Sequence, residues 1–312
     1  MTMENNQSLR IATRGSDLAL TQARGVADSL QALGVQAELE VIRTAGDRST
    51  AERFADIGPQ GIFVREIEQA LLEKRADIAV HSCKDLPTES PDTLCIGAIP
   101  PRFDAHDVLL IRRDALRASQ KFAPLKRASR VGTSSARRQA WLKHFRHDLD
   151  VVGLRGNVPT RLARLRDGDY DAIVLAAAGL DRLNAAEELL TPLLADVSVF
   201  PLEMSAFVPA PAQGAIAVQC RSDDRAVRDL LAKIDDQGSR ICVEIERAAL
   251  ANAEGGCEVA FGAHCRRVDQ AYELTCMLER NGQVHAVTSR SEKSAGLGAA
   301  AWRELEREFA GE

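Results

Sequence analysis

The sequence predicts an α/β chain of two sheet-based units followed by a small C-terminal α+β domain, on three observations. Short apolar strand candidates alternate with amphipathic helical segments through the first two thirds of the chain, the pattern of parallel strands joined by crossover helices. Residues Pro201–Gly214 hold three prolines and read as a crossing segment rather than an element. From about Asp223 the pattern becomes two helices, a glycine loop, alternating strands and a last helix. The expected domains are residues 1–104 with 205–222, residues 105–204, and residues 223–312.

Taken in order, Leu9–Thr13 is a strand, and Ser16 caps a helix that runs to about Leu33. Val35–Thr44 alternates as a strand does, and the charged, glycine-containing Thr44–Gly61 reads as a long loop. Ile62, Phe63, Ile67, Ala70 and Leu71 give Gly61–Arg75 the period of an amphipathic helix. Asp77–His81 is a short buried strand with the turn Ser82–Pro87 after it. In the second unit Val108–Ile111, Ser129–Gly132, Asp150–Leu154 and Asp171–Ala176 are strands. Helices are expected at Ser134–Phe145, capped by Thr133 or Ser134, and at Val158–Arg166 after Gly156-Asn157. Ala215–Cys220 is a further strand, and the C-terminal domain has strands at Tyr272–Glu279 and Gln283–Thr288.

Composition narrows the function. At 45% hydrophobic and 27% charged residues the chain is ordinary globular protein, and its net charge of −5 provides no basic field for nucleic acid. No apolar run approaches the roughly 18 residues that span a bilayer, so no membrane partner is expected. Met1–Arg10 lacks the apolar core of a signal peptide, and seven scattered cysteines suit reduced thiols better than a disulfide framework. A cytoplasmic monomer is the expectation. Among the cations, 33 are Arg and only 7 Lys. Arg binds carboxylate or phosphate through a two-pronged fork that Lys lacks, so position decides what this bias means.

Position is informative. In open parallel sheets ligands bind beyond the carboxyl ends of the strands. There the chain places Arg14 and Ser16, then Ser82, Lys84 and Asp85, then Thr133, Ser135, Arg137 and Arg138, then Arg155 and Asn157, with Arg161 one helical turn further on. Each group pairs a cation with small hydroxyl or glycine residues at a helix start, where free N–H groups and a partial positive charge favour an anion. Adjacent helical residues point about 100° apart, so Arg137 and Arg138 are expected to share a ligand only if it spreads across the helix end. The implied ligand carries several carboxylates or phosphates, in a cleft between two α/β units. Asp85 is the one acid among these cations, either a cap or a carboxylate that stabilises a developing cation. Cys257 follows two glycines on a loop. Cys257, His264 and Cys265 match no standard zinc spacing, so no metal is expected. A Gly-x4-Gly-Lys-Ser/Thr phosphate loop is absent from the sequence, which counts against a phosphate-handling transferase.

Several segments in order resemble the hydroxymethylbilane synthase (porphobilinogen deaminase) family: Ile11–Ser16, Ala76–Pro87, Val131–Gln139, Leu154–Asn157 with Thr160-Arg161, Tyr170–Leu175, Ala212–Ala215 and Glu254–Glu258. The resemblance implies two lobes like those of type 2 periplasmic binding proteins and a third domain bearing a cofactor cysteine. It implies a transferase that deaminates porphobilinogen and joins four units head to tail into hydroxymethylbilane, using a dipyrromethane cofactor held by a thioether to Cys257. Asp85 would be the catalytic acid. Arg14, Lys84, Arg137, Arg138, Arg155 and Arg161 would hold the acetate and propionate arms of the substrate and the growing polypyrrole. Ser16, Ser82, Thr133, Ser135, Asn157, Gln213 and Gly214 would assist. That chemistry needs no redox cofactor or metal. Gln60 and Asp56 stand where the family commonly has basic residues, Cys83 where Met or Leu is usual, and Ala212 where Gly is usual. The rival reading is a two-lobed small-anion binding protein without catalysis, which would need neither Asp85 nor Cys257.

Overall fold

The computed structural model describes residues 8–42, 62–117, 122–187, 190–253 and 260–311. Cys257, Gln60 and Asp56 lie outside the described residues. The chain divides into two compact units, Met1–Arg102 with Ala215–Arg240, and Phe103–Gly214 with Ile241–Glu312.

In the first unit β1 (Leu9–Arg14), β2 (Ala37–Ile42), β3 (Ile78–Ser82), β4 (Leu94–Ala98) and β10 (Ile216–Arg221) form one sheet in the order β2-β1-β3-β10-β4. The period-2 alternation of a strand assigns its two faces. Ile11 and Ile78 pack with Ala23, Val26 and Leu30 of helix α1 (Asp17–Gln31). Their neighbours Ala12 and Ala79 pack on the opposite face with Ile67, Ala70 and Leu71 of α2 (Ile62–Leu72). Each fully buried Leu or Ile contributes about 1.5–3 kcal/mol over its exposed state. Helix α7 (Arg225–Leu231), inside the stretch expected to open the C-terminal domain, places Val227 and Leu231 in this same core.

The alternation of strand and helix predicts parallel sheets, and the structure corrects this. β1, β2 and β3 are parallel, but β10 runs antiparallel to both β3 and β4. The physical reason is connectivity. The chain leaves this unit at the carboxyl end of β4 and re-enters at that same end, so the returning strand has to run the other way.

The second unit repeats the arrangement. β5 (Asp107–Arg112), β6 (Arg130–Gly132), β7 (Asp150–Val152), β8 (Ala172–Ala176) and β9 (Val197–Leu202) lie in the order β7-β6-β8-β5-β9. β6, β7 and β8 are parallel, and β5 is antiparallel to β8 and β9. Helices α3 (Ala136–Phe145), α4 (Val158–Arg166) and α5 (Ala177–Glu187) follow β6, β7 and β8, and the short α6 (Thr191–Leu194) precedes β9. Two α/β lobes with a smaller α+β element are thus the architecture.

That smaller element is an antiparallel meander, β11 (Phe261–Val268), β12 (Ala271–Arg280) and β13 (Gln283–Ser291). One face packs on α8 (Gln237–Ala253) and α9 (Leu297–Ala310) through Ile245, Ala249, Ala301 and Leu305. On its other face Met277 and Val284 join Trp141 and Leu142 of α3 in one apolar core. Helix α3 is therefore sandwiched and buries Arg137, Arg138, Ala140, Trp141 and Leu142. Three strands escape the sequence reading. Gly97 interrupts the apolar pattern of β4, Pro201 sits inside edge strand β9, and His264, Arg266 and Arg267 break the apolar run of β11.

Candidate active site

In the first unit the expected residues gather at the carboxyl end of the parallel strands. Arg14 ends β1, and Ser16 is the α1 N-cap, its Oγ accepting from the Ala19 N–H at 3.4 Å. Ser82 ends β3 and exchanges a hydrogen bond with the Gln22 amide of α1 at 3.0 Å. The next three residues form a 3-10 turn, Cys83–Asp85, closed by the Leu86 N–H donating to the Cys83 carbonyl at 3.2 Å. Cys83 and Leu86 are both buried. These two anchors push Lys84 and Asp85 outward between them. Asp85 is exposed and has no hydrogen-bond partner among the described residues, so it caps nothing and its carboxylate is available. Behind it His81 is buried, 3.1 Å from Gln219 Oε1, and Gln219 in turn donates to Glu68 of α2 at 2.8 Å. Burial pushes the His81 imidazole down to about 4, so it is neutral near pH 7.

In the second unit the expected cations converge on an acid the sequence reading passed over. Asp107 opens β5 and is fully buried. Its carboxylate accepts from Arg137 Nη2 at 2.8 Å, from Arg138 Nη2 at 2.7 Å and from Gln213 Nε2 at 2.9 Å. Arg137 also donates to the Val208 carbonyl at 2.7 Å, and Arg138 to that of Val174 at 2.9 Å. The expectation that Arg137 and Arg138 share only a spreading ligand is thereby corrected. Both reach one carboxylate, because two long side chains on a helix packed on both faces can fold back onto a single buried point. Asp85 is likewise not the only acid among the cations. Burial acts to raise the Asp107 carboxyl, but the charges of Arg137 and Arg138 and the hydrogen bonds of Arg138 and Gln213 outweigh it. They hold the group below the usual carboxylate range. One carboxylate faces two guanidinium groups, so the cluster keeps a net positive charge. Arg137 Nε is buried without a hydrogen-bond partner among the described residues.

The flanking loops are built from the same sequence motifs. Ser135 caps α3, its Oγ accepting from the Arg138 N–H at 3.4 Å, where Thr133 or Ser134 was expected. Thr133 Oγ1 accepts from the Ser135 N–H at 3.3 Å. Ser134 instead joins the two loops, donating to the Leu154 carbonyl at 2.9 Å and accepting its N–H at 3.0 Å. Asn157 caps α4 through the Thr160 N–H at 2.9 Å, Arg161 Nε donates to the Gly156 carbonyl at 2.7 Å, and Arg155 is exposed. Gly214 has φ +85, and a Cβ there would lie 2.4 Å from the Phe103 carbonyl oxygen. Ala212, at the position where Gly is usual, holds φ 60 with its N–H donated to the buried Glu246 at 2.6 Å. Sequence reasoning also missed Arg182 on α5, which donates to the Gly214 carbonyl at 2.8 Å and lies 4.4 Å above the Phe103 ring. Its signal was present: it is a further cation following a buried strand. Burial pushes it down to about 10, which leaves it charged.

Comparison with known proteins shows the family. The family model described as "Porphobilinogen deaminase, dipyromethane cofactor binding domain" matches residues 9–229. The chain is 43% identical over 272 residues to a porphobilinogen deaminase of Syntrophobacter fumaroxidans, covering 86% of this chain and 84% of that one. It is 39% identical over 300 residues to the Streptococcus sanguinis porphobilinogen deaminase, covering 95% of each. Among solved structures it is similar to the periplasmic VFT2 domain of Bordetella pertussis BvgS, with a TM-score of 0.43 and 14% identity over 79% of this chain and 92% of that one. On the family match and on identity across most of its length, this chain belongs to the porphobilinogen deaminase family.

Proposed function

We propose that this chain joins porphobilinogen units head to tail into hydroxymethylbilane, with Asp85 as catalytic acid, Cys257 as cofactor attachment point and the arginine set as carboxylate holders. The observation that carries this reading onto residues is the buried Arg137–Arg138–Asp107–Gln213 cluster. Its surplus positive charge and the unpartnered Arg137 Nε suit an anion, and the dipyrromethane group that the family binds carries acetate and propionate arms. Arg137 and Arg138 would hold that group, with Thr133, Ser135, Asn157, Gln213 and Gly214 shaping the loops around it. When bound, it supplies the primer to which substrate pyrroles are added.

The chain's own residues do the rest. Loss of ammonia from a pyrrole substrate leaves positive charge on the ring, and an unpaired carboxylate that can face ring N–H groups stabilises that charge and holds the departing proton. Asp85 is such a carboxylate, carried on a turn between the buried Cys83 and Leu86. Arg14, Lys84, Arg155 and Arg161 supply further cations for the carboxylates of successive units. The described cysteines other than Cys95 are buried, which favours the Gly-Gly loop as the place for a reactive thiol. A monomer acting in the cytoplasm fits this reading, and among the described residues no helix is long and apolar enough to cross a membrane.

Intact mass tests it directly. Protein expressed in cells that make porphobilinogen should carry a two-pyrrole adduct, and Cys257→Ser should lack both adduct and turnover. An unmodified wild type, or an adduct mapping to Cys83, would refute the assignment.

A further inference from the structure

Two cysteines outside this chemistry stand opposite each other in the first unit. Cys95 on β4 and Cys220 on β10 are register partners across an antiparallel pair, with sulfurs 3.7 Å apart. Opposed residues in such a ladder have Cα atoms about 4.5–5.5 Å apart, inside the roughly 4.4–6.8 Å that a disulfide spans. The strands are thus already spaced for a bond. Side-chain rotation alone has to bring the sulfurs to the bonded separation of about 2.05 Å.

The surroundings direct one sulfur at the other. A Cβ on Gly97 would lie 3.1 Å from Cys220 Sγ and 2.5 Å from Leu231 Cδ1, so the Cys220 thiol occupies space that a glycine leaves open. Cys220 is buried in the core beside α1 and α7, whereas Cys95 is partly exposed. Burial, with Cys95 beside it, pushes the Cys220 thiol up to about 12. The accessible sulfur therefore meets the oxidant first, and the buried one is placed to resolve it.

We propose that Cys95 and Cys220 form a reversible modification site, a disulfide made by a peroxide. The Cys95 thiolate attacks one peroxide oxygen, the O–O bond breaks, and Cys95 sulfenic acid and hydroxide result. The Cys220 sulfur then displaces the sulfenic oxygen, which leaves as water with the Cys220 proton. The two thiols lose two electrons, the peroxide gains them, and the hydroxide takes up a proton to give a second water. Because the chain leaves this unit after β4 and returns by β10, the bond closes residues 95–220 into a loop at its neck. That restricts the unfolded chain and raises the thermal midpoint.

The test treats the purified, cofactor-loaded protein with hydrogen peroxide, alkylates remaining thiols and maps peptides. A linked Cys95–Cys220 peptide, two fewer alkylatable thiols and a higher thermal midpoint are expected, all reversed by a dithiol reductant. In Cys220→Ala the sulfenic acid should persist at Cys95 and be trapped by dimedone, whereas wild type should show little trapping. Cys95→Ser should give neither product. Wild type in which both thiols stay alkylatable, or in which Cys95 gains oxygen without a linked peptide, overturns the site. Equal dimedone labelling of wild type and Cys220→Ala overturns the resolving role of Cys220.

Discussion

Asp85 and Asp107 are both carboxylates among cations, and what surrounds each decides what it does. Asp85 is exposed and caps no helix, so its loss should be felt where charge develops in the reaction. Asp85→Asn should fold normally, carry the proposed adduct and lose at least about a hundredfold in turnover. Near-normal turnover, measured as hydroxymethylbilane formed per enzyme, would remove Asp85 from the chemistry. Asp107 is fully buried between Arg137 and Arg138. Asp107→Asn leaves both guanidinium groups without a counter-charge and should cost about 3–5 kcal/mol in urea unfolding. A cost below about 1 kcal/mol would mean that the arginines do not depend on this carboxylate.

At the scale of elements, the turn before β10 and the sandwiched helix α3 are the instructive cases. Gly214 takes φ +85 and has carbonyl oxygens of Phe103 and Asp104 where a Cβ would go, at 2.4 and 3.0 Å. Gly214→Ala combines left-handed strain of about 1–2 kcal/mol with an overpacking cost of about 1–3 kcal/mol. A destabilisation of about 2–5 kcal/mol is expected, together with displacement of the adjacent Gln213 from Asp107; a change below about 0.5 kcal/mol would show that the turn relaxes freely. Helix α3 shows why some elements resist sequence reading. Its buried residues, Arg137, Arg138, Ala140, Trp141 and Leu142, give no single apolar stripe because two sheets cover it. The Gly-Thr-Ser-Ser motif before it located the helix start, but which hydroxyl caps depended on how Ser134 was drawn to Leu154.

For the whole molecule, pH stability follows from His81, a buried group four residues before Asp85 on the strand that leads into its turn. The His81 imidazole titrates near 6.5 when unfolded, but only at about 4 when buried beside Gln219. Between those values the unfolded state binds more protons, so stability falls as pH falls. Moving from pH 7 to pH 5 should cost about 2 kcal/mol from this residue. His81→Gln should show correspondingly less loss over that interval in urea unfolding; an equal loss would assign the acid sensitivity elsewhere. Asp107 adds a second acid-labile contribution at lower pH. Its depressed carboxyl stabilises the fold above its unfolded value of about 3.9 and loses that effect as pH drops further.

The sequence by itself determined the alternation of strands and helices, the helix starts at Ser16 and Asn157, and the placing of cations after parallel strands. Those features are local, set by periodicity and by which side chains can satisfy the first N–H groups of a helix. Its motif order also carried the family. Tertiary structure alone decided that β10 and β5 run against their neighbours, because strand direction depends on where a distant segment re-enters a sheet. It alone brought Asp107 between Arg137 and Arg138, thirty residues away along the chain, and set Cys95 against Cys220. Such partners are chosen by the packing of whole elements, and no local spacing records them.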